Sequence, residues 1–151
     1  KMHKLTEDRE IVMLQKEQGL ITASGSSLTE LRYSKALGFG CPDFAGCKPE
    51  YAGLAQQFYY ASSQLIRYGE EPNRFNFRVG QTANIQYHPD VSCGSSPVYL
   101  QNRATAALYN YTPYQPNAAA LKNMAGEGDA CSAYGNRNFW RLFNIWFGST
   151  H

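Results

Sequence analysis

Five apolar residues, Leu54, Phe58, Ala61, Leu65 and Tyr68, recur at spacings of 4, 3, 4 and 3. An α-helix brings residues so spaced onto one face. The stretch therefore predicts a long central helix whose apolar side must be covered by the rest of the chain. Pro49 suits the first turn, where a missing N–H costs nothing, and Gly69 suits the end. Gln57 and Gln64 lie beside the stripe and are expected to point inward. A buried amide must find hydrogen-bond partners, either backbone groups or a polar ligand.

The flanking segments supply the cover. Met13, Leu14, Leu20 and Ile21 fall on one stripe of a first helix expected over 6–20, and Glu17 lies on that same stripe. Ser27-Leu28-Thr29-Glu30 reads as a capping box, opening a short helix to Leu37. Gly38-Phe39-Gly40-Cys41-Pro42-Asp43 must then be a constrained loop. Phe75, Phe77 and Val79 alternate with polar residues, as in a half-buried strand. Residues 83–87 and 98–100 read as two further short strands. Asn102 can cap a helix over 103–109, residues 118–123 can form a helical turn, and 138–147 read as a final core helix. The sum is an α+β chain, mostly helical, with a small β-element in its second half.

At 151 residues, the length suits one domain over 1–151. A net charge of +2, without a basic block, argues against nucleic acid as partner and suits weak adsorption to an anionic polymer. No apolar run is long enough to span a membrane. The opening Lys1-Met2-His3 reads as a trimmed or mature boundary. Four cysteines, Cys41, Cys47, Cys93 and Cys131, show no zinc-type spacing, and two of the three histidines, His3 and His151, are terminal. No metal or cofactor is expected. An even cysteine count suits two disulfides and an oxidising compartment. Three pairings are possible. Cys41–Cys47 with Cys93–Cys131 is favoured because the first pair closes a short local loop, and free buried thiols are the alternative.

Aromatic residues are abundant: eleven Tyr, eight Phe and two Trp. Most are assigned to the core, but rings with an apolar body and a polar tip also suit the faces of sugars. Glu17 is the sharpest candidate for chemistry. Burial on an apolar stripe favours the protonated form of a carboxyl, and glycosidic cleavage needs a proton donor at a poor leaving group. The alternative is a helix-end glutamate that reaches solvent or an arginine. Lys16 is expected to face elsewhere.

Two segments carry a resemblance. Val12-Met13-Leu14-Gln15-Lys16-Glu17-Gln18-Gly19-Leu20-Ile21 resembles the lytic transglycosylase and goose-type lysozyme motif, in which an apolar helix ends in a catalytic glutamate. Ala106-Ala107-Leu108-Tyr109-Asn110-Tyr111-Thr112-Pro113 is similar to the same superfamily's A-x-x-A-Y-N-A-G-P signature. The chain also resembles secreted bacterial hemagglutinin-like proteins over most of its length, through L-Q-K-E-Q, the G-x-G-C-P-D loop and the N-F-W-x-x-F-x-x-W-F-G tail. It departs from the superfamily at Gln18, where Ser is usual, at Gly38–Asp43, which stands in place of G-L-M-Q, and at Tyr111-Thr112, where Ala-Gly is usual.

The resemblance implies a lysozyme-like domain, secreted or wall-bound, that cuts β-1,4 bonds of peptidoglycan or a related wall glycan. Glu17 would be the general acid, and Tyr109 and Asn110 would hold the sugar. Asp43 is the candidate second carboxylate. At about 5 Å from Glu17 it would be a nucleophile, and at about 6.5–9.5 Å it would activate water; the alternative is that it caps a turn. Gln18, Phe39, Gln57 and Tyr111 are added as candidate substrate contacts. Hydrolysis is the expected outcome. A transglycosylase or a non-catalytic glycan-binding module is the alternative, and nothing in the sequence demands more than a monomer.

Overall fold

The computed structural model describes residues 2–149, so His151 lies outside the described residues. It is α+β and mostly helical. The helices are α1 (Met2–Gln18), α2 (Glu30–Ser34), α3 (Leu54–Glu70), α4 (Arg103–Tyr111), α5 (Ala118–Lys122) and α6 (Gly135–Phe147). The strands β1 (Thr82–Gln86) and β2 (Ser95–Tyr99) form one antiparallel pair, in register from Thr82 opposite Tyr99 to Gln86 opposite Ser95. The chain divides into two compact units, residues 1–64 with 142–151, and residues 65–141. Among the described residues no helix is long and apolar enough to cross a membrane, and no His/Cys/Asp/Glu cluster could hold a metal. The cysteines pair as Cys41–Cys47 and Cys93–Cys131. Both disulfides suit an oxidising or extracellular environment.

In the first unit the buried apolar residues are Val12, Met13 and Leu14 of α1, Ala36 and Leu37 after α2, Ala61 of α3, and Phe143 of α6. Three in a row from α1 show that the helix is buried over a wide arc at its third turn, beyond the narrow stripe read from sequence. Ser62 of α3 donates to the Glu10 carboxylate of α1. α1 stops at Gln18, earlier than expected, and Ile21 is exposed. The Gln15 side chain captures the turn that follows: its Oε1 accepts from the N–H of Ile21 and Thr22, and its Nε2 donates to the Thr22 hydroxyl.

Further departures have local causes. The N-cap of α2 is Thr29, whose hydroxyl accepts from Arg32 N–H at 3.3 Å; Ser27 instead pairs with the backbone of Ser24. The helix expected from Pro49 is broken at Gly53. Pro49–Tyr51 forms a separate 3-10 turn, and α3 begins at an exposed Leu54. The buried side chains of α3 are Gln57 and Ala61.

The second unit is built on Ile85, Leu100, Ala106, Ala107, Ala120 and Phe139. Asn102 caps α4 by accepting from Thr105 N–H at 2.9 Å, as expected. The strand expected at 75–79 is absent, because the backbone of Phe77 pairs with a side chain instead, as described below. The hairpin is held from the side by the buried Gln115. Its N–H donates to Gln86 O, and its Nε2 lies 2.7 Å from Ile85 O and 2.9 Å from Ser96 O. Arg137, also buried, gathers the carbonyls of Ala120, Asn123 and Gly126 and stands 4.5 Å over the Tyr134 ring. Burial lowers its pKa from the ordinary arginine value.

Asp129 organises the loop that carries Cys131. Its Oδ1 accepts from Asn117 Nδ2 at 2.8 Å and from Cys131 N–H and the Ser132 hydroxyl at 3.0 Å each. These bonds, that from Asn117 first, hold the carboxyl below its ordinary range. A depressed carboxylate stabilises the fold fully above its unfolded value of about 3.9, and that contribution vanishes as pH falls through the folded value. Asp129→Asn keeps an acceptor but no titration. The expected outcome is that the melting temperatures of wild type and Asp129→Asn converge as pH is lowered from neutral into the range below about 3.9. A constant difference across that range would remove Asp129 from the acid response.

Candidate functional site

The first unit places Glu17 one residue before the end of α1, against the loop that follows α2. This loop turns at Gly38 and Gly40, with φ of 72° and 69°. Both glycines also make room. A Cβ on Gly38 would lie 2.9 Å from Glu17 Oε2, and one on Gly40 would lie 2.3 Å from Tyr51 Cδ2. The carboxylate therefore rests on bare backbone at one end of the loop, and a tyrosine ring rests on it at the other. Phe39, between the two glycines, meets Tyr51 edge-on at 4.9 Å and stacks with Tyr60 at 5.8 Å. Tyr51 and Tyr60 meet at 4.7 Å, and Tyr59 joins Tyr60 at 5.1 Å. Four rings thus continue the loop away from Glu17, and Tyr59 is 66% exposed.

Glu17 is not the desolvated carboxyl read from its stripe. Its side chain keeps 27% of its exposure, and Oε1 lies 2.7 Å from Lys16 Nζ. Lys16 does not face elsewhere. Its side chain is 4% exposed, with the stem covered by protein and the ammonium delivered to its neighbour.

Gln57 holds the loop in place. Its Oε1 accepts from Leu37 N–H and Phe39 N–H, both at 3.1 Å. Its Nε2 donates to Phe39 O at 2.9 Å and Tyr51 O at 2.8 Å. All four hydrogen-bonding positions of the amide are filled, and the residue is 1% exposed. The expectation that Gln57 contacts substrate is corrected: it is the internal support of the loop beneath Glu17 and Phe39. Gln18 is the last residue of α1 and is half-buried; Asp43 is exposed on the Cys41–Cys47 loop. Phe44, beside it, is 89% exposed at φ 62°.

The second unit carries the Tyr109-Asn110-Tyr111 segment at the end of α4, each residue half-buried. Burial pushes the Tyr109 phenol up, so it remains a neutral hydrogen-bond donor through ordinary pH. Its ring meets Phe77 at 6.3 Å. Asn110 grips the backbone of Phe77 at two points: Oδ1 accepts from its N–H at 3.0 Å, and Nδ2 donates to its carbonyl at 2.7 Å. The Tyr68 hydroxyl donates to Asn110 O at 3.1 Å. The amide expected to hold a sugar thus imitates a neighbouring strand for segment 75–79.

Tyr51, Tyr59 and Tyr60 were not singled out from sequence. The available signal was the Tyr59-Tyr60 pair on a helix, since adjacent residues cannot both face one core. No protein family, curated protein or solved structure matches the chain.

Two variants test the loop. Gln57→Ala orphans two N–H and two C=O groups, and is expected to lower the unfolding free energy by roughly 3 kcal/mol or more in urea titration, at about 1–3 kcal/mol per buried orphan. Gly38→Ala is expected to cost about 1–2 kcal/mol through its positive φ and to displace the Glu17 carboxylate, the flexible partner in the close approach. A Gly38→Ala structure with Glu17 unmoved would show that the glycine does not set its position.

Proposed function

We propose that this chain acts on a bacterial cell-wall glycan, cleaving β-1,4 bonds of peptidoglycan with Glu17 as the general acid. The observation that carries the reading is the placement of Glu17: a carboxylate on the last turn of a helix, part-open to solvent, fixed against Gly38 and continued by a wall of Phe39, Tyr51 and Tyr60. Glycan cleavage needs a positioned acid beside surfaces that hold sugar rings, and rigid support for both. Resemblance of the α1 and α4 segments to lytic transglycosylase and goose-type lysozyme motifs supports the same class. Two disulfides suit the extracellular setting of such a substrate. Asp43 is retained as the candidate helper that makes the outcome hydrolytic.

A second reading has its own observation. The Glu17 carboxylate, 2.7 Å from Lys16 Nζ and part-open to solvent, is suited to accepting hydrogen bonds from sugar hydroxyls. In that case the same surface is a non-catalytic wall-binding module.

Digestion of purified peptidoglycan separates the two. Wild type is expected to release soluble muropeptides, seen by mass spectrometry, and Glu17→Gln to release them at least about a hundredfold more slowly, the usual scale for loss of a general acid. Products lighter by one water would mark intramolecular capture by the sugar, as in transglycosylases. Wild type that pellets with the wall and releases nothing would overturn the catalytic reading in favour of binding.

A further inference from the structure

The second unit contains a cleft of about 350 Å³ that the glycan reading does not use. It is lined by Tyr68, Pro72, Phe77, Val79 and two arginines, Arg78 and Arg103. Among the described residues neither guanidinium has a carboxylate partner. The nearby Glu71 is already shared by Arg67 at 3.6 Å and Arg74 at 2.6 Å, and those two bonds hold its carboxyl below the ordinary range. Two arginines thus line one concave, partly apolar surface, and neither has a carboxylate partner among the described residues. A guanidinium without a protein counter-charge is open to pair with a bound anion.

The walls are held rather than loose. Asn110 fixes Phe77 at both its N–H and its carbonyl, and so sets the backbone from which Arg78 departs. Gly80 N–H donates to Leu100 O at 2.8 Å, closing the same segment at its far end. Arg103 departs from the first residue of α4, which Asn102 caps. The flat, forked guanidinium matches the paired oxygens of a carboxylate or phosphate. Phe77, Val79 and Pro72 offer an apolar bed beside it.

We infer that this cleft is a binding site for an oxyanion, a carboxylate or phosphate carried on a small, partly apolar body, with Arg78 and Arg103 as its ligands. The volume suits one such group and not an extended chain. The inference stands on the cleft alone and does not require that Glu17 cleave a glycan. In a cell wall the same chemistry has two sources: the carboxylates of the peptide stem and the phosphodiesters of polyol-phosphate polymers.

The test is an NMR titration of the full chain, following backbone amides of residues 77–79 and 103–106 and the arginine side-chain N–H signals. Probes are N-acetylmuramyl-L-alanyl-D-isoglutamine for the carboxylate, glycerol 3-phosphate for the phosphate, and neutral triacetylchitotriose. Saturable shifts at these residues with an anionic probe, weakening as salt is raised, are expected. Arg78→Ala and Arg103→Ala should each weaken binding about tenfold, as for loss of a charge-assisted pair. Arg67→Ala, outside the cleft, should leave it unchanged, and Arg78→Lys should recover only part of it. Both arginines of the cleft are exposed, and a retained spectrum elsewhere will show that each variant folds. Response to one anion alone assigns the source, and response to both establishes the shared oxyanion site. Absence of saturable shifts with either anion, equal binding of the neutral sugar at these residues, or equal loss in Arg67→Ala would overturn the inference.

Discussion

One side-chain amide carries the loop on which the candidate site of the first unit depends. The stretch after α2 has no strand or helix to satisfy its backbone, yet Leu37 and the N–H and carbonyl of Phe39 are turned inward. An unpaired buried backbone group costs as much as a lost hydrogen bond. Gln57 meets that requirement with both lone pairs and both N–H bonds. With the loop fixed, Gly38 can lie under the Glu17 carboxylate and Gly40 under the Tyr51 ring. Apolar packing of Val12, Met13, Leu37 and Ala61 supplies most of the driving force for this unit; the amide decides which loop conformation that packing ends in.

The same device recurs in the second unit. Asn110 pairs with the backbone of Phe77, Gln115 with the hairpin, Asn136 Nδ2 with the carbonyls of Thr112 and Tyr114, and Arg137 with three carbonyls around α5. A chain with one two-stranded sheet and several short helices leaves many backbone groups outside regular ladders. Here they are answered by amide and guanidinium side chains, Gln115 and Arg137 buried and Asn110 and Asn136 half-buried. Such side chains are costly to truncate, because the backbone groups left behind remain buried.

Helices were legible where apolar spacing and caps agreed. α4 was visible from Asn102 and the residues after it, α6 from its aromatic spacing, and β1 from the run at 83–87; β2 was read only over 98–100, short of its start at Ser95, and its pairing with β1 was not read. The segment 75–79 misled because alternation reports which side chains are half-covered, not what the backbone pairs with; Asn110, far along the chain, replaced the partner strand. Leu54 misled because the first turn of a helix can lie outside the core its later turns cover. For Glu17 the sequence placed the residue on the first helix, but the burial read from its stripe is not found, and Lys16, expected to face elsewhere, lies beside it. The flexible lysine stem lets an adjacent position bring its charge back toward its neighbour.

The sequence by itself determined the α+β class, the Asn102 cap and the position of a glutamate near the end of the first helix, because these follow from periodicity and from near neighbours, and it favoured the short Cys41–Cys47 loop among three possible pairings. Only the tertiary structure decided that Gln57 supports a loop instead of touching a ligand, that Phe39, Tyr51 and Tyr60 form one wall, and that Arg78 and Arg103 share a cleft. Those outcomes depend on which distant groups complete a hydrogen-bond set or leave a charge unmatched, and spacing along the chain does not encode that.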